Sequence, residues 1–147
     1  MSKDYFEKMS EDIFLFEGLE RFGYKITTIS VLGRVKDSVL QLKRLVEFCG
    51  DRVDYIVLKN LYWGKPENFT RYDNSKIRQT VLQKGGIELS FPELFEDIFD
   101  VIDDKDLTFR ETLENDVLTV SNQSRLFGWI KKAEAEFEKA ADFLVLN

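Results

Sequence analysis

With 147 residues, 44% of them hydrophobic and 33% charged, the chain has the composition of one soluble globular domain and not of a disordered segment. Its formal net charge of −6 argues against direct binding to nucleic acid, because Lys and Arg contacts to phosphate supply most non-specific affinity for DNA and RNA. The absence of histidine and the single cysteine exclude Ser-His-Asp and Cys-His catalysis, an intramolecular disulfide and most zinc sites.

The segment ahead of the first predicted strand is amphipathic. Apolar residues recur at three- and four-residue spacing over residues 2–22, which predicts one helix that Ser2 caps and Gly23 ends. Phe14 and Phe22 lie outside the main apolar stripe. We therefore expect this helix to have apolar surface beyond one buried face, available to cover the sheet or to contact a partner.

Three short runs of residues that favour strands predict β-strands, and the first of them is rich in β-branched residues. They cover Ile26–Leu32, Val53–Asn60 and Ile87–Phe91. Helical patterns over residues 37–49 and about 73–84 separate these runs, and either Asp73 or Asn74 is expected to cap the second helix. Because strands that alternate with helices form parallel sheets with crossover connections, we predict that the three strands are parallel.

The pattern changes after the third strand, which Pro92 ends because proline has no N–H for the strand ladder. A short helix is predicted over residues 94–102, and Thr108 then begins a helical turn with Glu111 placed for a capping box. A long helix follows over residues 121–144, with Ser121 or Ser124 as its cap. Its charged residues, Lys131 and Lys132 among them, fit a solvated helix face.

These patterns predict the fold class and the domain organisation. We expect a single α/β domain over residues 1–147, built as three layers in which a small parallel sheet is flanked by helices. A helical C-terminal segment spans about residues 94–147. Between the second strand and the second helix, residues 60–72 are rich in Gly, Pro and Asn, which predicts a loop long enough to be functional.

The sequence gives no sign of a membrane segment. No apolar run reaches the length of a spanning helix, and the N-terminus lacks the basic-then-apolar pattern of a signal peptide. We therefore expect a cytoplasmic protein without a membrane partner. Cys49, at the end of a predicted helix, is expected to be a half-buried thiol.

The order of elements resembles the C-terminal half of the ParA/MinD-like family of P-loop ATPases, which includes the CobQ/CbiA-type domains. The segments that carry the resemblance are VDYIVLKN, IELSFPEL, the intervening NFTRYDNSKIRQTVLQKGG, and the tail segments LTFRETL and SRLFGWIKKAEAEFEKA. The resemblance implies that Asn60 hydrogen-bonds an adenine base and that the loop around Pro92 borders this base. A plain turn role for Asn60 is equally compatible with its position.

Two aromatic residues in the long loop are further candidates for contacts. Tyr62 and Trp63 could stack on a base or dock a partner, although packing over the end of the sheet is the commoner role of such residues. An open pocket beside Asn60 would favour nucleotide binding. A pocket plugged by Tyr62 or Trp63 would favour a protein-interaction scaffold.

The departures from the family pattern concern catalysis. The sequence contains no G-x-x-x-x-G-K-[ST] motif, and Gly85-Gly86 precedes a strand, whereas a phosphate loop follows one and opens a helix. The acidic cluster Asp100, Asp103, Asp104 and Asp106 lacks the spacing and the glycine of a calcium loop, so a solvated acidic loop is favoured. We predict no metal site, no catalysis by this chain alone, and at best weak binding of ATP or ADP.

Two functions therefore stand side by side. The first is a non-catalytic, nucleotide-associated half-domain that works with a separately encoded P-loop half. The second is a protein-interaction or dimerisation scaffold that binds no nucleotide. Both predict that the open edge of the sheet pairs with a partner, either a second copy in a homodimer or the P-loop half.

Overall fold

The structure is a computed structural model that describes residues 3–12 and 14–145. Its sheet contains β1 (Ile26–Leu32), β2 (Val53–Asn60) and β3 (Ile87–Phe91), in the order β1-β2-β3. Both neighbouring pairs are parallel. The three strands therefore have the predicted bounds, and the predicted parallel arrangement is confirmed.

The helices of the described residues surround this sheet. In chain order they are α1 (Lys3–Asp12), α2 (Leu15–Arg21), α3 (Lys36–Cys49), α4 (Thr70–Asp73), α5 (Lys76–Gln83), α6 (Glu96–Asp104), α7 (Phe109–Glu114), α8 (Val120–Glu138) and α9 (Ala141–Leu144). Two short 3-10 turns, Leu61–Trp63 and Pro66–Asn68, lie between β2 and α4.

The strand register assigns each side chain to one of the two faces of the sheet. Ile29 lies beside Ile56, and Val31 lies beside Leu58. Because neighbouring side chains in register point to the same side, these four residues share one face, while the alternate residues share the other. Leu58 is in turn paired with Leu89 of β3, which extends the apolar row across the sheet.

The face that contains the alternate residues, which we call the first face, packs against α2, α3, α4 and α5. Its buried cluster combines strand residues with residues of these helices: Phe16, Leu32, Leu42, Val46, Cys49, Val53, Tyr55, Val57, Phe69, Tyr72 and Val81. This face holds the larger part of the core, since two of its tyrosines and Phe69 are almost fully buried.

The second face packs against the C-terminal helices. Ile56, Leu58, Leu89 and Ala140 form its buried cluster, with Phe137 and Phe143 packed against them. A third cluster lies beside the sheet, where Ile98, Leu118, Leu126 and Trp129 join α6, α7 and α8. Helices on both faces give the three layers, and the predicted α/β class with a helical C-terminal segment is confirmed.

The N-terminal helix differs from the prediction. The single helix predicted over residues 2–22 is wrong, because α1 ends at Asp12 and Phe14 has a left-handed backbone with φ 51° ahead of α2. The change of direction brings Phe16 into the core beside Phe48, with ring centroids 5.8 Å apart. Phe14 and Phe22 remain exposed, and the predicted cap Ser2 lies outside the described residues.

The cap predicted for the helix between β2 and β3 is also wrong. The hydroxyl of Ser75, not Asp73 or Asn74, accepts the hydrogen bond from the Arg78 N–H at the start of α5. Asp73 instead accepts from the ammonium group of Lys59 at 2.6 Å and belongs to the short helix α4. The predicted loop over residues 60–72 is accordingly a chain of short helical turns, each stabilised by local hydrogen bonds.

Two helices of the tail begin or end at other residues than predicted. Thr119, not Ser121 or Ser124, caps α8, which ends at Glu138 before the separate turn α9. The helix is interrupted near the fully buried Ala140, and α9 packs back onto the sheet. Helix α6 starts at Glu96, two residues later than predicted. The capping box between Thr108 and Glu111 is present as predicted.

Candidate functional site

An open cleft of about 690 Å³ lies at the carboxyl ends of β2 and β3. We call it the basic cleft. It is lined by Leu61, Tyr62, Gly64, Lys65, Pro66, Pro92, Glu93, Phe95, Ser124, Arg125, Gly128, Trp129 and Lys132. These residues come from the segments that follow the two strands and from one side of α8. Ligands of open α/β sheets bind beyond the carboxyl ends of the strands, so this is the expected place for a site.

One wall of the basic cleft is the segment after β2. The side-chain oxygen of Asn60 accepts a hydrogen bond from the Tyr62 N–H at 3.1 Å and so caps the first 3-10 turn. Gly64 follows with φ 139° and ψ −177°, a conformation that is almost restricted to glycine. Arg34 donates to the carbonyl of Trp63 at 3.2 Å and fixes this turn to the segment after β1.

The structure separates the residues predicted for this wall. Tyr62 lines the basic cleft with 64% of its surface exposed, and it leaves the cleft open. Asn60 and Trp63 are not among the described residues that line the cleft. Asn60 is engaged in the turn. Trp63 instead packs edge-on against Tyr62, with ring centroids 4.9 Å apart, and lies near Gly33.

The opposite wall is fixed by a tryptophan. The indole N–H of Trp129 donates to the carbonyl of Pro92 at 2.9 Å and connects α8 to the end of β3. The ring of Trp129 lies 5.5 Å from that of Phe91 and 5.0 Å from that of Phe109, both measured between centroids. Pro92 lines the cleft, and its contact with a base stays a prediction. Trp129 was not predicted as a site residue.

The charge of the basic cleft is opposite to that of the chain. Lys65, Arg125 and Lys132 line it together with one acidic residue, Glu93. The Arg125 guanidinium lies 5.0 Å from the ring centroid of Phe95 and donates to the side-chain oxygen of Asn122 at 3.2 Å. Neither lysine forms an ion pair with any residue that the structure describes. The cleft therefore concentrates positive charge on a protein with net charge −6.

The basic set could not be predicted as one group, because Lys65 follows β2 whereas the other two basic residues lie on α8. Arg125 and Lys132 lie seven residues apart on α8, which places them on one side of the helix, two turns apart. Lys131 points elsewhere and pairs with Glu134 at 3.1 Å, as expected for a solvated face. The i, i+4, i+7 spacing of Arg125, Trp129 and Lys132 is the signal that could have identified this side of the helix.

A second open region lies on the second face of the sheet. Helix α9 contacts the start of β1, where the Thr27 hydroxyl donates to the carbonyl of Phe143 at 3.1 Å. Beyond that point Ile29 and Val31 are 46% and 60% exposed. An apolar groove of about 1110 Å³ runs from Ile29 to α7 and α8. Among the described residues, β1 has β2 as its strand partner, so its outer edge is open.

Away from both openings, an ion pair joins α5 to β3. Arg78 donates to both carboxylate oxygens of Glu88, at 2.8 and 2.9 Å. These bonds hold the pKa of the Glu88 carboxyl below its usual value. Burial raises the pKa of the Cys49 thiol, which is buried and is not a reactive thiolate.

The described residues, 3–12 and 14–145, contain neither a metal-binding cluster nor a helix able to span a membrane. They contain no group of three or more His, Cys, Asp or Glu side chains that could hold a metal ion, and the acidic cluster formed by the aspartates of α6 and Asp106 is not such a group. No helix in this part of the chain has the length and apolar character needed to cross a membrane.

Comparison with known proteins gives a distant relative. No protein-family model and no solved structure matches the chain. Protein MobD of Acidithiobacillus ferrooxidans is 28% identical to it over 114 residues. The match covers 78% of this chain but 49% of MobD, so the chain spans about half the length of this curated relative.

Proposed function

We propose that this chain is the non-catalytic half of a nucleotide-associated α/β unit of the ParA/MinD-like type. A complementary half with the phosphate loop comes from outside these 147 residues and docks on β1. In the joined unit, the segments after β2 and β3 face the base of the nucleotide. We expect no ATP hydrolysis by the chain alone, because its sequence has no phosphate loop.

The observation that carries the proposal is the incomplete β1 side of the sheet. A small parallel sheet is normally covered on both faces, but Ile29 and Val31 are exposed and the outer edge of β1 is unpaired among the described residues. A further parallel strand on this edge, with its own helix over the apolar groove, would cover both features. That MobD is about twice as long as the matched region agrees with a missing half.

The scaffold alternative uses the same surface. Two copies of the chain could pair through β1 around a two-fold axis, which would bury Ile29 and Val31 without a nucleotide. We expect such a homodimer when the chain is alone. In the main proposal it is replaced by pairing with the complementary half, since both partners compete for one edge.

The test is a mixing experiment with a phosphate-loop protein that is encoded next to this chain. We expect a one-to-one complex by size-exclusion chromatography with light scattering. The variant Val31→Lys should not form it, because a lysine cannot be buried unpaired in an apolar interface. The matched control is Val120→Lys, since Val120 is 81% exposed at the start of α8 and away from β1.

Two outcomes would refute the half-domain proposal. One is a chain that keeps its own mass at every mixing ratio. The other is a complex that forms equally well with Val31→Lys and with Val120→Lys, because the docking surface would then lie elsewhere.

A further inference from the structure

We propose that the basic cleft binds a mononucleotide on its own, with the phosphate held by Lys65, Arg125 and Lys132 and the base stacked on Tyr62 and Phe95. The inference rests on the proposed function for the class of ligand. It adds the phosphate-binding residues, and it places the ligand of the isolated chain between the β2 segment and α8, where Asn60 makes no contribution.

The charges of the cleft match a phosphate monoester. Three cationic side chains and one carboxylate line it, which leaves an excess of two positive charges. A nucleoside monophosphate has up to two negative charges. Lys65 and Lys132 make no ion pair within the described residues, so their ammonium groups are free to contact a ligand. The guanidinium of Arg125 offers a planar donor pair, which suits phosphate oxygens.

The aromatic residues of the cleft fit a base. Tyr62 and Phe95 are 64% and 50% exposed, and both line the same opening as the cationic groups. Exposed aromatic rings beside cations are the combination that nucleotide-binding surfaces use to stack a base while holding its phosphate. Trp129 lies behind them, 8% exposed, and keeps this wall in place through its bond to Pro92.

The size of the cleft and the charge of the chain favour a single nucleotide over a nucleic-acid strand. A volume of about 690 Å³ falls within the range of roughly 300–1,000 Å³ that is usual for small-molecule sites. A strand would extend beyond the cleft over a protein surface of net charge −6, which repels a polyanion.

Gly128 provides a way to block the cleft without damaging the fold. It lines the cleft on α8 between Arg125 and Lys132, and a Cβ atom added there would meet nothing within 4 Å. The variant Gly128→Leu would therefore fill ligand space and not core space. It also replaces a poor helix former by a good one. Gly18, in α2, has equally open surroundings and gives the matched control Gly18→Leu.

The experiment is an NMR titration of the isolated chain, following amide and indole N–H signals, with AMP, adenosine, ribose 5-phosphate, inorganic phosphate and a short DNA oligonucleotide. We expect AMP to bind with a dissociation constant at or somewhat below the millimolar range. The signals of Gly64, Gly128 and the Trp129 indole should shift. Adenosine and ribose 5-phosphate should each bind about tenfold more weakly, because each lacks one half of the contacts.

The variants separate the cleft from general charge effects. Arg125→Gln and Lys132→Gln should each weaken AMP binding about tenfold, whereas Lys131→Gln, next in sequence but outside the cleft, should leave it unchanged. Gly128→Leu should abolish binding, and Gly18→Leu should not. Unfolding midpoints at or above that of the parent would show that both leucine variants are folded.

Several results would overturn the inference. These are an absence of shifts at about 10 mM AMP, unchanged binding by Gly128→Leu, inorganic phosphate that binds as tightly as AMP, and an oligonucleotide that binds more tightly than AMP. None of them depends on docking at β1. Nucleotide binding without a partner complex would support this inference and refute the half-domain proposal. A partner complex without nucleotide binding by the isolated chain would support the half-domain proposal and refute this inference.

Discussion

Replacement of Trp129 by phenylalanine tests how strongly Trp129 holds α8 against the end of β3. The indole donates to the carbonyl of Pro92 at 2.9 Å and packs between Phe91 and Phe109. Phenylalanine keeps a ring at this position but removes the donor and part of the buried surface. The change therefore affects the connection between α8 and the end of β3 that fixes one wall of the basic cleft.

The size of the effect follows from these contacts. A buried acceptor that loses its donor costs about 1–3 kcal/mol, and the lower value applies here because the Pro92 carbonyl is only partly buried and water can reach it from the cleft. The smaller ring loses about 1 kcal/mol more in packing, well below the roughly 3–5 kcal/mol of a change from Trp to Ala. We expect about 2 kcal/mol of lost stability.

The assay is urea unfolding followed by circular dichroism at one fixed protein concentration, since association would change the apparent stability. With a slope of roughly 2 kcal/mol per molar urea, the midpoint should fall by about 1 M. The matched control is Trp63→Phe, because Trp63 is 54% exposed and its midpoint should move little. A loss below about 0.5 kcal/mol for Trp129→Phe, or equal losses for both variants, would refute this account of the packing.

Three further predictions concern stability, pH and ligand binding. Gly86→Ala should lower the free energy of unfolding in urea by about 1–3 kcal/mol, because its Cβ would lie 2.8 Å from the carbonyl oxygen of Val81. Gly128→Ala should be neutral or stabilising, and equal effects of the two variants would contradict the steric explanation. The folded-state pKa of Glu88 is lowered, chiefly by Arg78, so its stabilisation is present above the ordinary pKa of 4.5 and is lost as the pH falls through the lower value. Glu88→Gln should therefore lose about 1 kcal/mol at pH 7 and show a flatter stability profile below pH 4.5, and a profile as steep as that of the parent would contradict the assignment. The isolated chain should show no ATP turnover above a no-protein control and an ATP affinity near millimolar by calorimetry, so micromolar affinity would mean that a phosphate cradle has been missed.

The sheet could be predicted from the sequence because its signals are local. Each strand is a short run of strand-favouring residues bounded by turn residues, and the helical patterns between them require crossover connections. The predicted bounds of the strands agree with the structure, whereas those of several helices do not. The break at Phe14 could not be predicted, since the apolar spacing of residues 2–22 also fits one continuous helix, and the choice depends on the packing of Phe16 against Phe48.

The site could be predicted only in part. Pro92 and Tyr62 line the cleft at the carboxyl ends of the strands, because strand ends of a parallel sheet share one edge, and their contact with a ligand stays a prediction. The basic residues were not predicted, since Lys65 and Arg125 are 60 positions apart in sequence and meet only through the docking of α8 by Trp129. The role of Asn60 was left between a ligand contact and a turn, and its side chain is engaged in the turn.

The central claim is that β1 and the exposed residues Ile29 and Val31 form the docking surface of an incomplete sheet. Light scattering of the isolated chain at micromolar concentration tests it most directly. We expect a species of twice the monomer mass of 17.3 kDa. Val31→Lys should convert it to monomer by weakening association at least about 100-fold, whereas Val120→Lys should leave it intact. A parent chain that stays a monomer near 17.3 kDa would show that the sheet needs no partner, and the half-domain account would lose its physical basis.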